Sequence, residues 1–118
     1  MATFSIAMLV CSDLTRSCDF YRDVLGLRVL TDKRPHWIEF ELAKGSSLGL
    51  HPKSELLAVR PGSLQLGFTV KNVDRFVADC AVLGVPIFQD PYDESFGRVA
   101  VISDPDGYPI QVGSPKRG

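Results

Sequence analysis

The sequence predicts an α+β fold: two βαβββ modules in tandem, whose eight strands form a cupped mixed sheet with the helices on its outer face. Three observations predict it. The phrase "CDFYRDVLGL" (residues 18–27) returns as "DCAVLGV" (residues 79–85), each the tail of an amphipathic helix that stops at Leu-Gly and hands over to an apolar strand. Gly26 and Gly84 lie about half of the 118-residue chain apart, the spacing of an internal duplication. Eight apolar or alternating stretches accompany only two helical ones, which argues against a doubly wound parallel sheet. With both helices on one side, the other side of a twisted sheet is free to curl into a cup.

The elements follow in order. "SIAMLVC" (5–11) is a short apolar strand, and Ser12 or Asp13 then accepts the free N–H groups of a helix beginning at Leu14. Leu14, Cys18, Tyr21 and Leu25 recur at helical spacing, Phe20 and Val24 widen that stripe, and Gly26 supplies the left-handed residue that ends many helices. "LRVLTD" (27–32), "HWIEFELA" (36–43) and "SSLGLHP" (46–52) are strands; the middle one alternates with period two and the last is terminated by Pro52. "KSELLAVRPG" (53–62) breaks the pattern with mixed polarity and a closing Pro-Gly.

The grammar then restarts with the alternating strand "SLQLGFTV" (63–70). Asn72 or Asp74 opens a second helix carrying Val73, Phe76, Val77 and Cys80 on one face, and Gly84 closes it. "VPIFQ" (85–89), "GRVAVIS" (97–103) and "YPIQVG" (108–113) are strands, the last two joined by the turn "DPDG". The acidic stretch "DPYDESFGR" (90–98) reads as a solvated loop. The chain is thus one domain, 1–118, with a first module over 4–52, a linker over 53–62 and a second module over 63–115.

Composition bounds the function. A formal net charge of −1 gives no electrostatic case for nucleic acid or an anionic membrane surface. No apolar run approaches the ~18 residues of a membrane span, and the N-terminus lacks the basic-then-apolar layout of a signal peptide. Three cysteines without CxxC spacing are expected to be buried, reduced side chains in a cytoplasmic protein.

"SDLTRSCDFYRDVLGLRVL" (12–30) resembles the first helix of the vicinal oxygen chelate superfamily, the glyoxalase, bleomycin-resistance and extradiol-dioxygenase group, and "FGRVAVISDPDGYPIQV" (96–112) resembles the closing strands of its second module. The resemblance covers nearly the whole chain. It implies paired βαβββ modules whose sheets form a cup, frequently completed in a homodimer. Its metal-using members take one ligand from each of four strands, usually His or Glu and sometimes Gln. Carried over, those positions fall on Ile6, on Gly49 or (two residues on) His51, on Gln65 and on Gln111. Isoleucine binds no metal, and two glutamines offer only neutral oxygens. The intact site is therefore not expected, and no cofactor is expected. The alternative is one divalent metal held by His51, Glu39, Gln65 and Gln111.

Alternation sorts the cup's lining. Leu64, Leu66, Phe68 and Val70 should face the helices, with Gln65 and Thr69 opposite; Ile38 and Phe40 should be buried, with Trp37, Glu39 and Glu41 opposite. His51 and Gln111 join the cup by the same rule. Tyr92 and Phe96 are placed as apolar walls at its mouth, and Arg98 as a partner for an anionic group. The expected ligand-binding set is thus Trp37, Glu39, His51, Gln65, Thr69, Tyr92, Phe96, Arg98 and Gln111, with no catalytic residue assigned. Beside a third reading, a dimeric protein whose cup is unused, two stay open. One is a metal-free binder of a small organic molecule, resembling the bleomycin-resistance proteins. The other is an enzyme, either a lyase or isomerase similar to lactoylglutathione lyase or one of dioxygenase type, in which a metal polarises the substrate and a carboxylate moves a proton. Leu56 and Leu57, without an obvious intrachain partner, point to a homodimer.

Overall fold

The structure, a computed structural model, describes residues 1–116 and divides into two compact units that meet in sequence at Val59 and Arg60, inside the expected linker. Among the described residues the first unit holds β1 (Ile6–Cys11), α1 (Leu14–Asp19) continuing as a π-helical turn (Phe20–Val24), β2 (Val29–Lys33), β3 (Trp37–Glu41) and β4 (Ser47–Pro52). The second holds a 3₁₀ turn (Pro61–Ser63), β5 (Leu66–Thr69), α2 (Val73–Val82), β6 (Ile87–Glu94), β7 (Gly97–Ser103) and β8 (Pro109–Pro115). The eight strands form two four-stranded mixed sheets, one per unit, ordered β1-β4-β3-β2 and β5-β8-β7-β6. In each, the first strand runs parallel to the last and the other pairs are antiparallel. The duplication is therefore topological as well as sequential.

Both helices begin and end by the same chemistry. Asp13 accepts from the Arg16 N–H and Asn72 from the Arg75 N–H, settling which of the candidate residues caps each helix. Gly26 and Gly84 sit at φ of 74° and 79°, where a side chain is disfavoured. The closures differ by one residue, however. The Val85 N–H donates back to the Cys80 carbonyl, whereas the Leu27 N–H reaches one residue further, to Tyr21. From cap to glycine the first helix spans 13 to 26 and the second 72 to 84, so the first carries one extra residue, and the π turn absorbs it. That wider turn leaves the adjacent Phe20 and Tyr21 both buried, their rings edge to face at 5.0 Å.

One face of each sheet packs on its own helix. In the first unit Leu9, Cys11, Ile38, Phe40, Leu48 and Leu50 are fully buried against Leu14, Cys18 and Tyr21. In the second, Ala100, Ile102, Ile110 and Val112 are buried on the side facing Val73, Val77 and Cys80 of α2. The turn expected at "DPDG" is knotted around buried Asp104, whose Oδ1 accepts from the Asp106 and Tyr108 N–H groups at 2.8 and 2.9 Å.

Three expectations need correction. The strand expected over 63–70 is only Leu66–Thr69, because Pro61–Ser63 turn instead. Leu66, Phe68 and Val70 are half-buried and Leu64 is exposed, because β5 is an edge strand with one neighbour. The acidic stretch is no loop: β6 runs through Glu94 and turns at Ser95–Phe96 into β7, with a register shift between Gln89 and Tyr92 that accommodates Pro91.

Candidate functional sites on the open sheet faces

Register decides which side chains share a face, because paired residues point the same way. On the side of the first sheet away from its helix, Ile6, Met8 and Val10 of β1 stand beside Ser47, Gly49 and His51 of β4, and Gly49 and Ser47 stand beside Glu39 and Glu41 of β3. Trp37, two residues before Glu39, belongs to the same face and is half-buried. Met8 was not expected there, although alternation from Ile6 carried the signal. Its thioether fills the space that a side chain on Gly49 would take, and it remains 44% exposed. The apolar row of β1 thus occupies the region where the family's ligand positions fall.

The polar groups of this face are Glu39 and His51. Glu39 Oε2 accepts a 2.6 Å hydrogen bond from the hydroxyl of Ser47, itself buried. His51 Nδ1 lies 2.7 Å from the Pro52 carbonyl; a carbonyl only accepts, so Nδ1 carries a proton. Among the described residues no three His, Cys, Asp or Glu side chains gather as a metal site.

On the second sheet, Gly67 and Thr69 pair with Gln111 and Gly113, which pair in turn with Val101 and Val99. Gln111, Thr69 and Phe96 meet in an open depression of about 330 Å³ whose walls also include Gly67, Val99, Gly113 and Ser114. No charged side chain lines it. Two glycines lower its floor, Thr69 and Gln111 supply neutral hydrogen-bonding groups, and exposed Phe96, at the tip of the β6–β7 hairpin, supplies an aromatic wall. Tyr92 pairs with Val99 on this same face, outside that lining. Gln65 precedes β5, is exposed, and is also outside it. Val99, Gly113 and Ser114 were not singled out from sequence; the strand pairing that brings them in is not local information.

Arg98 must be reassigned. It pairs with Ser114 and Asp93, three residues from Val101 and so on the opposite face from Gln111. Its guanidinium is engaged by Asp74 of α2 at 2.7 and 2.9 Å and by Asp93 at 2.9 Å. The hydrogen bonds that Arg98 donates hold the Asp74 carboxyl below the usual carboxylate range, and donating them to Asp74 and Asp93 raises the guanidinium further. An arginine already held by two carboxylates has no charge to offer an anionic ligand. The cysteines match their expected burial: all three are buried outside any disulfide, and burial pushes the Cys18 and Cys80 thiols up, away from nucleophilic use.

Paired βαβββ units, each with a helix on one face and an open face opposite, define a class of small α+β proteins. The chain belongs to the Glyoxalase/Bleomycin resistance protein/Dioxygenase superfamily, whose family model matches residues 3–112. A search of curated proteins found no match. Among solved structures, TnmS3, an antibiotic binding protein from Streptomyces sp. CB03234, is 27% identical with a TM-score of 0.81, each chain covering 98% of the other. A protein from Agrobacterium tumefaciens is 29% identical with a TM-score of 0.83, over 99% of this chain and 100% of that one. Lactoylglutathione lyase from Agrobacterium tumefaciens is 20% identical with a TM-score of 0.75, over 97% of this chain and 94% of that one, and shares the fold. No helix among the described residues is long and apolar enough to cross a membrane.

Proposed function

We propose that this protein binds a small, uncharged organic molecule and does so without a resident metal. The observation that carries the reading is the depression on the second sheet: concave, free of charged side chains, and furnished with an aromatic wall and the Gln111 amide. An amide offers one donor and one acceptor in a plane, so it suits a flat molecule that presents both on one edge. The likeness to an antibiotic binding protein over the full chain supports binding rather than turnover. The metal-free part is supported by the donor set. Ile6 is apolar, Met8 overlies Gly49, and Gln111 is neutral, so the positions that the family uses would hold a divalent ion poorly.

Phthalimide, planar and neutral with an imide edge, is a suitable probe. Titrated into isotope-labelled protein, it should shift the amides of Gly67, Thr69, Gln111 and Gly113, and Gln111→Leu should weaken it about tenfold by removing the edge contact. Shifts confined to other surfaces would sink the assignment. Elemental analysis of protein purified without chelator should find no stoichiometric metal. A near-equimolar zinc, nickel, manganese or iron content that vanishes in His51→Ala or Glu39→Gln would overturn the metal-free reading.

A further inference from the structure

We infer that the open face of the first sheet carries a site for an organic cation, with Glu39 as its anchor. The carboxylates on the helix and strands of this unit are otherwise matched: Asp19 and Asp23 with Arg22, Asp32 with Arg34, and Glu41 with Arg28 at 2.7 Å, while Asp13 caps α1; Glu55 lies in the exposed linker. Glu39 differs. It lies on an interior strand, is half-buried, and among the described residues has no cation within ion-pairing distance. Its one partner is Ser47, whose hydroxyl donates to Oε2 at 2.6 Å and fixes the carboxylate without neutralising it. A carboxylate held in one orientation with no counter-ion is a ready hydrogen-bonding and charge partner for a bound cation.

The surroundings specify the ligand's shape. Glu39 borders an open depression of about 390 Å³, with Ser5, Ser46 and Ser47 as hydroxyl-bearing neighbours and Ile6 and Leu30 as apolar ones. Leu30 is exposed on β2, so an apolar body has a surface to rest on while its charged end meets the carboxylate. Glu41, in the same lining, is spent on Arg28, so the pair presents one net negative charge. The chemistry selected is a protonated amine or amidinium joined to a compact apolar group.

Benzylamine and benzyl alcohol test this, since they differ chiefly in charge at neutral pH. Followed by amide shifts of the labelled protein, benzylamine should bind at Ile6, Leu30, Glu39 and Ser47 about tenfold more tightly than the alcohol, and raising the salt should narrow the gap. Glu39→Gln keeps the side chain's shape and an oxygen for Ser47, and should abolish the preference while leaving the alcohol's affinity alone. Ser47→Ala, which retains the charge but frees the carboxylate, should weaken benzylamine several-fold. Equal affinities for the two probes, a preference that survives Glu39→Gln, or no shift at these residues with either probe overturns the proposal. None of those results touches the phthalimide experiment, which reads the other unit.

Discussion

Arg98 and Asp74 tie the start of α2 to β7, and the tie titrates. Asp74 ionises below an ordinary carboxyl in the folded chain, so its contribution to stability is fully present above the unfolded value near ~4 and is lost as pH falls through the lower, folded value. Carboxyl-detected NMR should show Asp74 titrating late on acidification. Arg98→Met should return it toward the ordinary range; an unchanged titration would show that another group holds it down. Two glycines make a sharper contrast at this scale. A methyl group on Gly97 would meet the Ser114 backbone carbonyl, at a φ of 155° that side chains rarely adopt, whereas one on Gly49 would meet only side-chain ends, the thioether of Met8 and the Cδ1 of Ile6. Gly97→Ala should therefore cost a few kcal/mol, on the order of ~2–3, and Gly49→Ala well under ~1, since a methionine side chain can swing aside. Chemical denaturation of the two variants checks the order, and equal losses would contradict it.

The elements show where periodicity informs and where it stops. Alternation assigned Ile38 and Phe40 to the helix-facing side, and both are fully buried. The helix ends were legible because Leu-Gly is a local signal with a local cause. The π turn was not, since one added residue between cap and glycine leaves the apolar stripe looking helical. Nor was the edge position of β5, which depends on β8 pairing from more than forty residues away. Gln65 was placed on a strand for that reason, and Arg98 on the wrong face because its hairpin was read as a loop. The edge position has an energetic consequence. Ile110 on interior β8 has no exposed surface, while its register partner Leu66 on β5 is half-buried. Ile110→Ala should cost ~2–5 kcal/mol through the cavity it leaves, and Leu66→Ala clearly less, because solvent can fill part of its space. Matching losses in thermal or denaturant unfolding would mean that Leu66 is more enclosed than its position at the edge indicates.

For the molecule as a whole, the open question is what covers the linker. Its leucines sit in an ordered turn: the Ser54 N–H donates to the Leu57 carbonyl at 2.8 Å, and the Leu57 N–H donates to the Ser54 hydroxyl at 3.2 Å. That turn holds Leu56 94% exposed and leaves Leu57 exposed beside it. Holding a chain segment in one conformation to present a large apolar side chain to water is unfavourable on both counts, whereas a second copy would bury the side chain. We propose a homodimer on this ground. In a twofold dimer each leucine is buried twice, so a contribution of ~1.5–3 kcal/mol per side chain doubles in the association constant. Sedimentation velocity at micromolar concentration should show a dimer for the native chain and a shift to monomer, by two orders of magnitude or more in dissociation constant, for Leu56→Asp. A native chain that remains monomeric under those conditions removes the proposal. A Leu56→Asp variant that stays dimeric removes the leucine as its cause, and with it the reason for expecting the pairing from this turn.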